Sequence, residues 1–135
     1  MQRRLGLVDL LLIAEAVLGE PAERLFRTVS LWRVESALAA PFVSDGGLDL
    51  YPDPVERAAI CCSRLVRNRP FPHGNRQIAC LCMRELLEGA GFSWSLSTED
   101  EREADEMIKA LEAGTLSEER FVSWVRSQVP FEERG

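Results

Sequence analysis

Apolar residues recur along most of this chain at three- and four-residue spacing, the period of a helix with one buried face. Leu10, Ile13, Ala14 and Val17 make the first such stripe, with Asp9 as the expected N-cap and Gly19 and Pro21 as the stop. Residues 22–27 fit one short helical turn. Ser30 is placed to cap a helix over 31–40, with Leu31, Val34 and Leu38 inward and Pro41 ending it. Asp53-Pro54 then reads as N-cap and first helical residue of a long helix to about Val66. Val55, Ala58, Ala59, Cys62, Leu65 and Val66 form its broad buried stripe. A second long segment, 75–88, is apolar nearly all round (Ile78, Ala79, Leu81, Cys82, Leu86, Leu87), as in the middle of a bundle. It is closed by Gly89 and Gly91. Residues 92–96 read as a short extended piece. Thr98 with Glu101, and Thr115 with Glu118, have capping-box spacing. They open two further helices with Ala104, Met107, Ile108 and Leu111 inward in one, and Phe121, Val122, Trp124 and Val125 in the other. Pro130 stops the last, and 130–135 reads as a frayed tail.

One stretch breaks the helical period. Phe42 and Val43 precede Ser44-Asp45-Gly46-Gly47, and Leu48, Leu50 and Tyr51 follow, so apolar residues alternate about a turn. This predicts a small β-hairpin or a plain loop of similar shape, leaning on the helices. The whole is expected to be all-α: about six helices in a single domain over 1–135, with a core of about 9–129.

Composition agrees, since Ala and Leu dominate and β-branched residues are sparse. No apolar run approaches the ~20 residues of a membrane span. Asp9 and Glu15 interrupt what would otherwise resemble a signal peptide. The chain is expected to be cytoplasmic. Its formal charge of −6 argues against nonspecific binding to nucleic acid or anionic membrane. Cys61, Cys62, Cys80 and Cys82 lie mid-helix as Cys-Cys and Cys-x-Cys. That spacing suits buried free thiols better than a metal site completed by His73, and no metal is expected.

Charge is unevenly spread. From Arg57 to Arg84 there are six arginines and no acid. Some of these suit solvated helix faces or ion pairs elsewhere in the fold. Arg69 and Arg76 differ because they flank Pro70-Phe71-Pro72-His73-Gly74-Asn75, the turn between the two most apolar helices. Gly74 can take positive φ, and Asn75 can cap the helix that follows. Such a turn aims amide hydrogens and the positive end of a helix dipole at one point, as an anion or phosphate site requires.

The stretch Arg69-Pro70-Phe71-Pro72-His73-Gly74-Asn75-Arg76-Gln77 resembles the signature of the Fic/Doc family. That signature is HPFxDGNKR or HPFxEGNGR between two core helices, and the resemblance is specifically to the short Doc-type toxins. Asn68 before the turn, Gly91-Phe92 after the second helix, and the hairpin upstream extend the resemblance over about 9–129. It implies a Fic/Doc-like bundle with a flap, in which Gly74, Asn75 and Arg76, with Arg69 beside them, hold nucleotide phosphates. Phe71 is implied to be a buried anchor. Val43, Asp45, Gly46 and Leu48 would be the flap that aligns a protein target beside the motif. ATP or another nucleotide is the implied ligand, and a cognate antitoxin the implied partner.

The catalytic positions differ from the family pattern. Arg69 stands where the family has the histidine that accepts the target's proton, and a guanidinium cannot accept one. His73 stands where the family has the acid that holds magnesium-bound phosphate, and imidazole serves magnesium poorly. Gln77 replaces the closing arginine. His73, the only histidine, is open to three roles: displaced base, phosphate or partner contact, or exposed side chain. Ser97 and Glu101 have the spacing of the family's inhibitory pattern, but Arg102 follows where Gly or Asn is expected. The resemblance therefore implies a toxin component that keeps the phosphate-binding turn. The alternative is a non-catalytic module that binds an anion or a partner on the same scaffold.

Overall fold

The computed structural model describes residues 4–94 and 98–129. Seven α-helices are present among the described residues: α1 (Leu7–Leu18), α2 (Ala22–Thr28), α3 (Leu31–Ala39), α4 (Pro54–Asn68), α5 (Asn75–Gly89), α6 (Thr98–Ala113) and α7 (Glu118–Gln128). A 3₁₀ turn, Ala40–Phe42, follows α3. The Thr98 side chain, Ser97, the end of the extended piece and the tail from Pro130 lie outside the described residues.

α4 is the axis of the bundle, packing against α3, α5, α6 and α7. Its fully buried run from Ala58 to Ser63 explains why: no face of that stretch is left for solvent. Asp53 caps it as expected, its Oδ1 accepting from the amide of Val55 at 3.1 Å. α5 packs antiparallel along α4 and buries Ile78, Ala79, Cys82, Met83 and Leu87. α1 closes the far side of α5.

Several caps fall differently from the sequence reading. Asp9 is not the N-cap of α1. The N-cap is Gly6, three residues earlier, and Asp9 Oδ2 accepts from the Gly6 amide at 2.9 Å. Ser30 stands at the N-cap of α3 without a side-chain bond. Leu31 is exposed, and Ala37 fills the inward place beside Val34. Ser117, not Thr115, caps α7 through the amide of Arg120 at 3.2 Å. Glu118 is thereby freed for a long-range role on α4.

The hairpin is present and very short. β1 (Ser44–Asp45) pairs antiparallel with β2 (Leu48–Asp49), with Ser44 opposite Asp49 and Asp45 opposite Leu48. Gly46 and Gly47 both take positive φ (57° and 82°), the pairing that a two-residue turn needs to match strand twist. Arg57, one turn into α4, ties it down. Its Nε donates to the Tyr51 carbonyl at 2.6 Å, its Nη2 meets Asp49 Oδ2 at 3.0 Å, and its guanidinium lies over the Phe42 ring.

Candidate functional site

Between α4 and α5 the chain turns through Arg69–Gly74, held from three sides. The Ser30 amide donates to the Pro70 carbonyl at 2.9 Å. Asn68 Nδ2 donates to the Arg33 carbonyl at 3.1 Å. Phe71 is buried, as an anchor should be. The third hold is Asn75. Its Oδ1 accepts from the Phe71 amide at 3.0 Å, and its Nδ2 donates to the Phe71 carbonyl at 2.8 Å. Buried itself, Asn75 closes the turn on both backbone groups of one residue.

This differs from the cap expected of Asn75. The N-cap position belongs to Gly74, with φ 78° and ψ 9°, and Asn75 is the first helical residue. Glycine is favoured there on two grounds. A side chain would be strained at that φ, and a Cβ would fall on the Leu18 side chain at the end of α1. The Asn75 side chain is therefore a clamp and not a ligand. What the helix offers outward are its first amides. Ile78 is the first in α5 to reach a carbonyl, that of Gly74 at 3.0 Å, so Asn75, Arg76 and Gln77 carry the N–H groups that a helix leaves unsatisfied.

Those amides sit at an open cleft of about 470 Å³, lined by Val17, Leu18, Arg69, Pro72, His73, Gly74, Asn75, Arg76, Gln77 and Glu112. Its size falls within the ~300–1,000 Å³ usual for small-molecule sites. Arg69, His73, Gly74, Asn75 and Arg76, singled out from the sequence, do border one space. Arg69 and His73 are exposed at its rim. Arg69 is the one non-glycine residue among those described with positive φ, at 49°. Such a conformation costs about 1 kcal/mol or more. An Arg69→Gly variant is accordingly expected to gain about 1 kcal/mol in urea unfolding while losing a rim charge.

Glu112, on the last turn of α6, was not foreseen. Its Oε1 stands 3.9 Å from Arg76 Nη1, both side chains about one-third exposed. At that distance and exposure the pair is weak, so Arg76 stays open to a stronger anion. The other arginines of the cationic window are largely occupied. Arg57 holds the hairpin, and Arg64 and Arg67 face Glu118. Arg84 lines a separate groove between α5 and α6 with Glu101 and Asp105.

The hairpin does not reach this cleft. Val43, Asp45, Gly46 and Leu48 are exposed and line no part of it. The hairpin is fastened at Arg57, eleven residues up α4 from Asn68, or ~16 Å along a helix. The expected adjacency of flap and motif therefore does not extend to a shared cleft lining.

A magnesium ion of the usual kind is poorly served here. Among the described residues Glu112 is the one carboxylate lining the cleft, and it already faces Arg76. No group of three His, Cys, Asp or Glu suited to a metal occurs among the described residues. The cysteines give none either. All four are free, and Cys61, Cys62 and Cys82 are buried.

A family model described as the Fic/DOC family matches residues 5–87, more than half of the chain, from before α1 into the last turn of α5. No curated protein and no solved structure matches.

Proposed function

The chain belongs to the Fic/DOC family, and from that premise we propose that it is a divergent Doc-like toxin component whose turn at Gly74–Gln77 binds the phosphates of a nucleotide. The observation that carries this reading is the meeting of three outward amides of α5 with Arg69 and Arg76 on one cleft. Amide hydrogens and the helix dipole favour an anion at their focus. Guanidinium groups add paired, charge-assisted bonds to phosphate oxygens.

Transfer of a phosphoryl or nucleotidyl group to a protein hydroxyl is the family's expected activity. Here its proton-accepting position is filled by Arg69, which stays protonated. We read the protein as binding its nucleotide with that chemistry suppressed. His73, exposed on the rim, serves as a contact to phosphate or partner. Cytoplasmic placement and restraint by a separate antitoxin belong to the same reading. No helix among the described residues is long and apolar enough to cross a membrane.

Calorimetric titration with ATP and the other nucleoside triphosphates tests the reading. Binding is expected, weakening by about tenfold or more in Arg76→Ala, the loss of one charge-assisted contact. It should weaken further as salt is raised. Silence from all four nucleotides with a folded protein would end it. The double variant Arg69→His with His73→Asp, incubated with radiolabelled nucleotide and magnesium, then asks whether transfer returns.

A further inference from the structure

On the side of α1 and α2 turned away from the core, three large apolar residues are displayed together. Val8 is 69% exposed, Leu12 54% and Phe26 49%. With Leu11 and Ala22 they line a groove of about 480 Å³ between the two helices, edged by Glu23 and Arg27. A contiguous apolar surface of this kind marks a place of contact. Its charges say what kind. Glu23 and Arg27 lie one turn apart on α2, and neither forms an ion pair among the described residues, although the spacing would permit one. The face therefore offers one acid and one base on a chain whose formal charge is −6. A basic segment laid across it would satisfy Glu23 and repel Arg27, and an acidic one the reverse. A surface that presents both signs in this way is complementary to itself under a two-fold rotation.

We propose that this face is the interface of a two-fold dimer of the chain, with α2 antiparallel to α2 of a second copy. In that arrangement Glu23 of each copy meets Arg27 of the other. Phe26, Leu12 and Val8 of each copy lie beside these pairs and close the flank. The cleft at Gly74 plays no part in this contact.

Sedimentation equilibrium tests it with substitutions at exposed positions, whose folding is checked by thermal melting. The parent is expected to sediment as a dimer. Glu23→Arg places two like-charged pairs across the axis, and so does Arg27→Glu. Each should raise the dissociation constant by about tenfold or more. Mixed in equal amounts, the two variants match again and should recover a dimer that neither forms alone. Phe26→Asp should abolish association outright. A parent that is monomeric up to about 100 µM, the range of weak specific contacts, overturns the proposal and leaves the face to a different protein. So does a mixture that fails to associate, or a dimer that survives Phe26→Asp.

Discussion

An Asn75→Ala variant is expected to lose about 2–5 kcal/mol of unfolding free energy and to melt on the order of 10 °C below the parent. The size follows from what is left behind. Phe71 is buried, and both its amide and its carbonyl take their bonds from the Asn75 side chain. Truncation strands a donor and an acceptor away from water, and each such group costs about 1–3 kcal/mol. Asn75→Asp separates the two halves of the clamp. It can still accept from the Phe71 amide, but it turns a carboxylate oxygen toward the Phe71 carbonyl. Its loss at neutral pH should be of similar size and should ease as the carboxyl is protonated. Urea unfolding of the three proteins decides the matter. A shift under about 0.5 kcal/mol for Asn75→Ala would mean that the turn holds its shape without the side chain. Nucleotide titration of the same variants then shows how far the cleft depends on the clamp.

The second large effect is expected at Glu118, far from the cleft. Glu118 opens α7 and reaches across to α4. There Ser63 Oγ donates to its Oε2 at 2.7 Å, and Arg64 donates to both oxygens at 2.9 and 3.1 Å. Arg67 stands 3.8 Å away. Burial alone would raise this carboxyl, but the bonds from Arg64 and Ser63 outweigh it and hold it below its ordinary 4.5. Arg64 is raised in turn, chiefly by its bond to Glu118. Glu118→Ala leaves the fully buried Ser63 hydroxyl without its acceptor and Arg64 without its partner. A loss of about 2 kcal/mol is expected, discounted because both ionic groups are partly exposed. The pH dependence carries a sign. A carboxyl whose folded value is depressed contributes stability that is fully present above its unfolded value and is lost as pH falls through the folded value. The gap between parent and Glu118→Gln should therefore be widest near neutrality and close as pH falls below the ordinary 4.5 and through the lower folded value. A gap that is constant with pH would assign the effect to packing instead.

The helices were readable because their buried faces repeat locally. The stripe Val55, Ala58, Ala59, Cys62, Leu65, Val66 on α4 is buried as the spacing predicts. So is the Asp53-Pro54 start, where the cap lies two residues from the amide it satisfies. The site was legible in its membership and less so in its roles. Asn75 has the chemistry of a cap, and nothing local reveals that its amide group will close on Phe71 behind it. Glu112 and Glu118 were hidden for a different reason. Both read as acids near helix ends, and the partners that define them, Arg76 and Arg64, are brought close only by packing. The stretch 42–51 reads in sequence as either a small hairpin or a plain loop, and in the structure it forms two-residue strands. Its position relative to the motif depends on where Arg57 fastens it, and hydrophobic period does not encode that.

The four thiols of α4 and α5, three of them in the core, give the protein an internal clock. Cys61 and Cys62 on α4, and Cys82 on α5, are buried, and burial pushes Cys61 up to about 12 and the other two upward as well. At neutral pH almost none of these sulfurs is an anion, and only the anion attacks an alkylating reagent. Cys80, partly exposed and also raised, is slowed but reachable. Iodoacetamide should thus mark Cys80 first. Each later adduct records an instant at which α4 and α5 parted, so the mass spectrum of a timed labelling reaction reads the breathing of the core without any introduced probe.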